Sequence, residues 1–174
     1  MVQLDPYTSE WKVEFESEKE KLLSILNGSI IDIQHVGSTS IEGCYAKPII
    51  DILIGIESLK LGETLIPVLV KQGYIHKFNV PGEVYFKKQS NGLTTHHIHI
   101  APINGQVWKN QILFRDYLKL HPEKLQEYIE LKQRLAIQFA DDRDKYSKGK
   151  KEFILQVLFD AENEIIRKRT KKEN

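Results

Sequence analysis

Long apolar runs are missing from this 174-residue chain, and cysteine is almost absent. No segment approaches the roughly 18 consecutive apolar residues of a membrane span, and the N-terminus lacks the apolar core of a signal peptide. We therefore expect no membrane partner. The single cysteine, Cys44, excludes a disulfide framework and fits a reducing, cytoplasmic location.

An excess of charge of either sign is also missing. Basic residues number 25 and acidic residues 24, so the net charge of +1 draws the molecule neither to nucleic acid nor to anionic membranes. One basic cluster, at residues 167–172, fits a helix end, where cations are favoured. The composition argues against a nucleic-acid partner and gives no indication of oligomeric state.

The spacing of apolar residues predicts the order of the elements. Helical spacing predicts an amphipathic helix over residues 9–27 and another around 59–72, which Pro67 would kink. Strands are expected near residues 30–36, 48–56, 83–89 and 94–101. From Trp108 onward the pattern is helical. This predicts a single domain, with an α/β core over residues 1–104 and a packed helical extension over residues 105–174.

A glycine and small hydroxylated residues follow the first predicted strand. In His35-Val-Gly-Ser-Thr-Ser, the backbone N–H groups and hydroxyls of Gly37, Ser38 and Thr39 are available to hold an anion such as phosphate. Lys47, just before the next strand, could reach the same phosphate. The alternative is a purely structural tight turn with a solvated lysine nearby.

One carboxylate, Asp51, interrupts that next, otherwise apolar strand. A charge there is costly to bury unless it meets a cation or a metal ion. The segment Thr95-His-His-Ile-His-Ile, read as a strand, places His97 and His99 on one face and His96 on the other.

Two imidazoles on one strand face, with Asp51 from a neighbouring strand, could chelate one ion. Two nitrogens and one carboxylate suit Zn, Mn or Fe better than Mg. The histidines could instead bind phosphate oxygens or act as acid and base. The simplest alternative is a set of polar residues on an exposed sheet surface.

The chain resembles the GrpB-like family of the nucleotidyltransferase-fold superfamily. The matching segments follow in the family's order and are Tyr7–Phe15, His35–Ser40, Lys47–Leu53, Pro81–Phe86, Thr95–Ile100, Phe114–Leu118, His121-Pro122 and Asp144–Lys150. The resemblance implies an α+β fold, with a mixed β-sheet core flanked by helices and a C-terminal helical half. It also implies a nucleotide or phosphorylated ligand and a divalent metal, Mg or Mn, with Zn as an alternative.

The sequence departs from the superfamily at one position that matters for chemistry. The usual pattern there is acid, apolar residue, acid, and in this chain the second acid is Leu53. Alternate strand residues share a face, so an aliphatic side chain stands beside Asp51, which alone cannot build a two-metal phosphoryl-transfer site. We expect His97 and His99 to complete a catalytic and metal site with Asp51. Glu83 could add the missing carboxylate.

Three functions are compatible with these residues. The first is metal-dependent phosphoryl or nucleotidyl transfer, with Gly37, Ser38, Thr39 and Lys47 binding the phosphate. The second is a non-catalytic accessory or binding module, which Leu53 favours. Family members also occur joined to dephospho-CoA kinase, so the resemblance implies a link to coenzyme A metabolism. The third is a metal-dependent hydrolase that uses Asp51 and the two histidines.

Overall fold

A mixed sheet of five strands forms the centre of the α/β part in the computed structural model, which describes residues 1–78 and 80–171. The strands are β1 (Asp32–Val36), β2 (Ile50–Ile56), β3 (Ile75–Lys77), β4 (Val84–Ser90) and β5 (Leu93–Pro102). Their order across the sheet is β1-β2-β5-β4-β3, with β2 parallel to β5 and the other neighbours antiparallel. The predicted α+β class is confirmed. The three-residue strand β3 was not predicted, because it is too short to show a period.

Seven α-helices accompany the sheet in the described part of the chain. They are α1 (Glu10–Leu26), α2 (Leu59–Thr64), α3 (Ile66–Lys71), α4 (Gln106–Leu120), α5 (Pro122–Gln138), α6 (Arg143–Lys148) and α7 (Lys151–Thr170). The prediction of one helix over residues 59–72 was wrong. Two short helices meet at Leu65, and Pro67 occupies the first turn of α3, where its missing N–H costs no hydrogen bond. The short helix α6 was not predicted either.

One face of the sheet carries the hydrophobic core of the α/β part. Ile50, Ile52, Ile54 and Ile56 alternate along β2 and are fully buried. They belong to one apolar cluster with residues of α1, among them Trp11. Each buried isoleucine contributes about 1.5–3 kcal/mol. With this face covered, the opposite face of the same strands is the one left for polar side chains.

The chain divides into two compact units, Asp5–Gln111 and Met1–Leu4 with Ile112–Asn174. The division lies a few residues beyond the predicted change at residue 104, and the single packed domain stays a prediction. In the helical unit, the ring of Tyr128 lies 5.3 Å from the rings of both Phe114 and Phe153, measured between centroids.

The last turn of α7 is basic, as predicted for residues 167–172, although Lys172 lies outside the described residues. None of the helices in the described ranges combines the length and the apolar character needed to cross a lipid bilayer.

Candidate functional site

Asp51, His97 and His99 converge on the polar face of the sheet. Asp51 pairs with His97 across the parallel strands β2 and β5, and Leu53 pairs with His99, so all four side chains share this face. One potential ligand atom from each of Asp51, His97 and His99 lies within 4.8 Å of the others. The three side chains keep between 18% and 26% of their exposure, so solvent reaches them. The three side chains converge, and their catalytic and metal-binding roles stay predictions.

His97 is bonded directly to the carboxylate of the group. Its Nδ1–H donates to Oδ1 of Asp51 over 2.9 Å. In the neutral imidazole this bond places the proton on Nδ1 and the lone pair on Nε2. An ion shared by His97 and Asp51 would take the place of this proton, because Nδ1 is the ring nitrogen that faces Asp51.

His99 has a carboxylate partner of its own. Its Nδ1–H donates to Oε2 of Glu83, 2.7 Å away, and Glu83 directly precedes β4. Burial lowers the pKa of His99, but the hydrogen bond to Glu83 and the negative charges of Glu83 and Asp51 outweigh it, so the pKa is raised overall. Each histidine of the site is thus paired with one carboxylate.

Tyr85 packs against both histidines and was not among the predicted site residues. Its ring centroid lies 4.9 Å from that of His99 and 5.6 Å from that of His97. Burial raises the pKa of the phenol, and the charges of Asp51 and Glu83 raise it further, so the ring stays neutral. The sequence spacing could have predicted this position, because Tyr85 stands two residues after Glu83 and therefore shares its face of the strand.

The turn after β1 lies against Asp51. Gly37 has φ +69° and ψ −174°, a region that is essentially restricted to glycine. A Cβ atom at this position would stand 2.2 Å from Oδ2 of Asp51, so only a glycine allows this approach. Ser38–Ser40 then form one 3-10 turn, in which the Ser40 hydroxyl donates to the Gly37 carbonyl over 2.6 Å.

Thr39 is buried, and its hydroxyl is used within the turn. The hydroxyl donates to the Ile49 carbonyl over 3.4 Å and lies 3.0 Å from Nε2 of His35. The His35 ring stacks on Phe15 with centroids 4.7 Å apart. These contacts give the Thr39 side chain a role in holding the turn. Lys47 is half-buried and precedes β2.

The turn and Lys47 were predicted to bind phosphate, and that role stays a prediction for Gly37, Ser38, Thr39 and Lys47. Their positions differ: Gly37 touches the carboxylate of the site, Ser38 follows it in the 3-10 turn, and Thr39 points into the protein.

Leu53 occupies the position expected of a second acid. It is fully buried and lies opposite His99. The donor set that remains is two imidazole nitrogens and one carboxylate, which fits a single Zn, Mn or Fe ion. It does not fit a pair of Mg ions, each of which would require several oxygen ligands.

Comparison with known proteins agrees with this architecture. A sequence model of the family described as "GrpB protein" matches residues 1–159. The glutamate-rich protein GrpB of Alkalihalophilus pseudofirmus is 39% identical over 158 residues, which cover 87% of this chain and 91% of that protein. A dephospho-CoA kinase of Mycolicibacterium paratuberculosis is 28% identical over a match that covers 83% of this chain and 42% of the kinase.

Solved structures show the same fold. The crystal structure of the conserved protein GrpB from Enterococcus faecalis superposes with a TM-score of 0.84 at 30% identity, covering 94% of this chain and 99% of that one. Terminal uridylyl transferase 4 from Trypanosoma brucei, solved with bound CTP, superposes with a TM-score of 0.52 at 14% identity, covering 85% of this chain and 49% of that one. This chain therefore belongs to the GrpB family and has a nucleotidyltransferase-like fold.

Proposed function

We propose that this protein binds a nucleotide or a related phosphorylated small molecule, together with one divalent metal ion held by Asp51, His97 and His99. The observation that carries the proposal is the convergence of three ligand atoms within 4.8 Å beside the turn at Gly37. A site for an ion next to a turn rich in backbone N–H groups and hydroxyls suits a phosphate.

Each residue of the site would have a separate role in binding the ion or the phosphate. Asp51 would supply the negative charge of the ion site, His97 would supply Nδ1 in place of its hydrogen bond to Asp51, and His99 would supply Nε2. The backbone around Gly37 and Ser38 donates to phosphate oxygens, and Lys47 offsets their charge. A bound ion would add electrostatic stabilisation of the phosphate, which is the main contribution expected in phosphoryl transfer.

A second candidate function is a binding module without turnover. Leu53 favours it, because a fully buried aliphatic side chain stands where an active two-metal site would carry an acid. The match to a dephospho-CoA kinase suggests that such a module would handle a phosphorylated metabolite near coenzyme A metabolism. Both candidates share the same ligand site.

A thermal-shift screen tests the shared ligand site. Chelator-treated protein is titrated with Mn, Zn or Mg, alone and with adenine, uracil and guanine nucleotides or coenzyme A. A ligand present at 100 times its Kd stabilises the folded state by about 2.7 kcal/mol, which is a rise of roughly 5–10 °C in Tm for a chain of this size. We expect Mn or Zn to raise Tm and a nucleotide to raise it further only with the metal present.

Variants identify the ligands. His97→Ala and His99→Ala should abolish the metal shift. His121→Ala is the control, because His121 also pairs with carboxylates, those of Glu123 and Glu164. It should keep the metal shift, because His121 belongs to the helical unit and not to the site. A metal shift that survives in both site variants would contradict the proposal. Turnover of a labelled nucleotide by the parent protein, lost in Asp51→Asn, would favour the enzyme over the module.

A further inference from the structure

Glu83 touches the site without belonging to the group of converging ligand atoms. Its Oε2 accepts the Nδ1–H of His99 over 2.7 Å. Within the described ranges, the cluster whose ligand atoms lie within 4.8 Å of one another consists of Asp51, His97 and His99, and Glu83 stands outside it. The carboxylate of Glu83 is thus placed to act on a ligand of the ion through the imidazole ring.

The burial of Glu83 makes this contact favourable. Its side chain is 11% exposed, and a carboxylate so far removed from water is costly unless it is hydrogen-bonded to a donor. Gly82, just before it, has φ +79°, and a Cβ atom added there would stand 3.2 Å from Cγ2 of Val107.

The His99 ring is also held from a second direction. Tyr85 pairs with His99 across β4 and β5, and their ring centroids lie 4.9 Å apart with the planes tilted by 32°. One side chain packs against the ring and the other bonds its Nδ1. The packing restricts rotation of the imidazole, and the hydrogen bond to Glu83 favours the proton on Nδ1.

We propose that Glu83 is a positioning residue that holds His99 as the Nδ1–H tautomer and directs the lone pair of Nε2 to the site. The use of this lone pair for a metal ion rests on the proposed function, whereas the tautomer does not. Carboxylates that orient metal-binding histidines in this way strengthen them as ligands.

This role also offsets the effect of Leu53. Leu53 pairs with His99 in the sheet, and it removes a carboxylate from that point of β2. Glu83 brings a carboxylate to the same histidine from the start of β4. The site therefore keeps a second negative charge, but it acts on the imidazole and not on the ion.

Nitrogen NMR of histidine-labelled, metal-free protein tests the tautomer directly. At a pH above the titration of the imidazole, long-range proton–nitrogen correlations should report Nδ1–H for His99 in the parent. In Glu83→Gln the uncharged amide holds this proton less firmly, so a mixture with the Nε2–H form should appear. Zn titration of the same samples should show an affinity roughly 10–100-fold lower in Glu83→Gln. Glu57→Gln, which removes an exposed acid just after β2, should change neither.

The outcomes separate the two proposals. An Nε2–H tautomer in the parent, or a Glu83→Gln variant with unchanged tautomer and Zn affinity, would overturn the positioning role. A parent with the Nδ1–H tautomer that is lost in Glu83→Gln, but with no Zn or Mn binding, would support the positioning role and contradict the metal ion of the proposed function. Because the parent's tautomer is read without any variant, an Nε2–H form in the parent overturns the positioning role even if Glu83→Gln does not fold.

Discussion

Gly37 lies so close to Asp51 that a Cβ atom on the glycine would stand 2.2 Å from the Oδ2 atom of the carboxylate. The turn that follows β1 and the acid near the start of β2 therefore form one piece of structure. The contact holds the Asp51 carboxylate between the turn on one side and His97 on the other. Substitutions at Gly37 should therefore displace the Asp51 carboxylate and weaken ion binding.

Gly37→Ala should impair both stability and metal binding. The backbone at φ +69° and ψ −174° costs a residue other than glycine about 1–3 kcal/mol, and the new methyl group would also displace Asp51. We expect a lower Tm and a loss of Mn or Zn affinity, measured by thermal unfolding and by calorimetric titration.

Gly43→Ala is the matched control for Gly37→Ala. Gly43 has a similar φ, +79°, but a Cβ atom there would meet nothing within 4 Å. This variant should lower Tm through backbone strain and keep the metal affinity. Equal metal affinity in both variants would show that the turn does not support the ion site.

Leu53→Asp should reverse the departure from the superfamily pattern. The substitution puts a charge at a fully buried position on the face that carries Asp51, and without an ion it should destabilise the fold by several kcal/mol. Mn or Mg should recover part of this loss, because a second carboxylate gives the ion another oxygen ligand. Chemical denaturation with and without the ion measures the recovery.

The control is Leu53→Asn, because an asparagine side chain has nearly the same shape as an aspartate but carries no charge. It should also destabilise the protein, but the ion should recover much less. If Mn stabilises both variants equally, or neither of them, then Leu53 does not face the ion site in the way described.

Glu18 should make stability depend on pH in the acidic range. This buried acid accepts a hydrogen bond from the Tyr74 hydroxyl over 2.6 Å and another from Nζ of Lys88. Burial raises the pKa of Glu18, but the bonds from Lys88 and Tyr74 outweigh burial and lower it below its ordinary value of 4.5. The stabilisation by the ionised form is therefore complete above pH 4.5 and is lost as the pH falls through the lower, folded-state pKa.

Glu18→Gln checks this expectation. At neutral pH it should cost about 1.5–3 kcal/mol, the usual contribution of hydrogen bonds to a charged group. The difference in unfolding free energy from the parent should shrink as the pH drops below 4.5. Glu16→Gln, on the same helix but half-exposed, should cost little at any pH. A Glu18→Gln difference that does not vary between neutral and acidic pH would contradict the role of ionised Glu18.

Local patterns in the sequence predicted much of the fold and of the site. The two-residue period of a strand placed His97 and His99 on one face of β5, and the same period placed Leu53 beside Asp51. Local residue types also predicted the four longer strands and the turn at Asn91-Gly92, where both residues have positive φ.

The register of strands β4 and β5 could not be predicted by counting residues outward from that turn. Ser90 pairs with Leu93 and Gln89 with Thr94, and a regular hairpin would then place Val84 opposite His99. A register shift between Lys88 and Gln89 moves the pairing by one residue and brings Tyr85 there. Since a shift of one residue exchanges the two faces of a strand, this irregularity puts Glu83 and Tyr85 on the side of the histidines.

The most direct test of the ion and ligand site is a crystal structure of the protein grown with Mn and a non-hydrolysable nucleotide, with anomalous data collected for Mn. We predict one anomalous peak about 2 Å from an oxygen of Asp51, from Nδ1 of His97 and from Nε2 of His99. The phosphates should lie between the ion and the turn at Gly37. An ion bound away from these three residues, or a nucleotide bound elsewhere on the protein, would contradict the account.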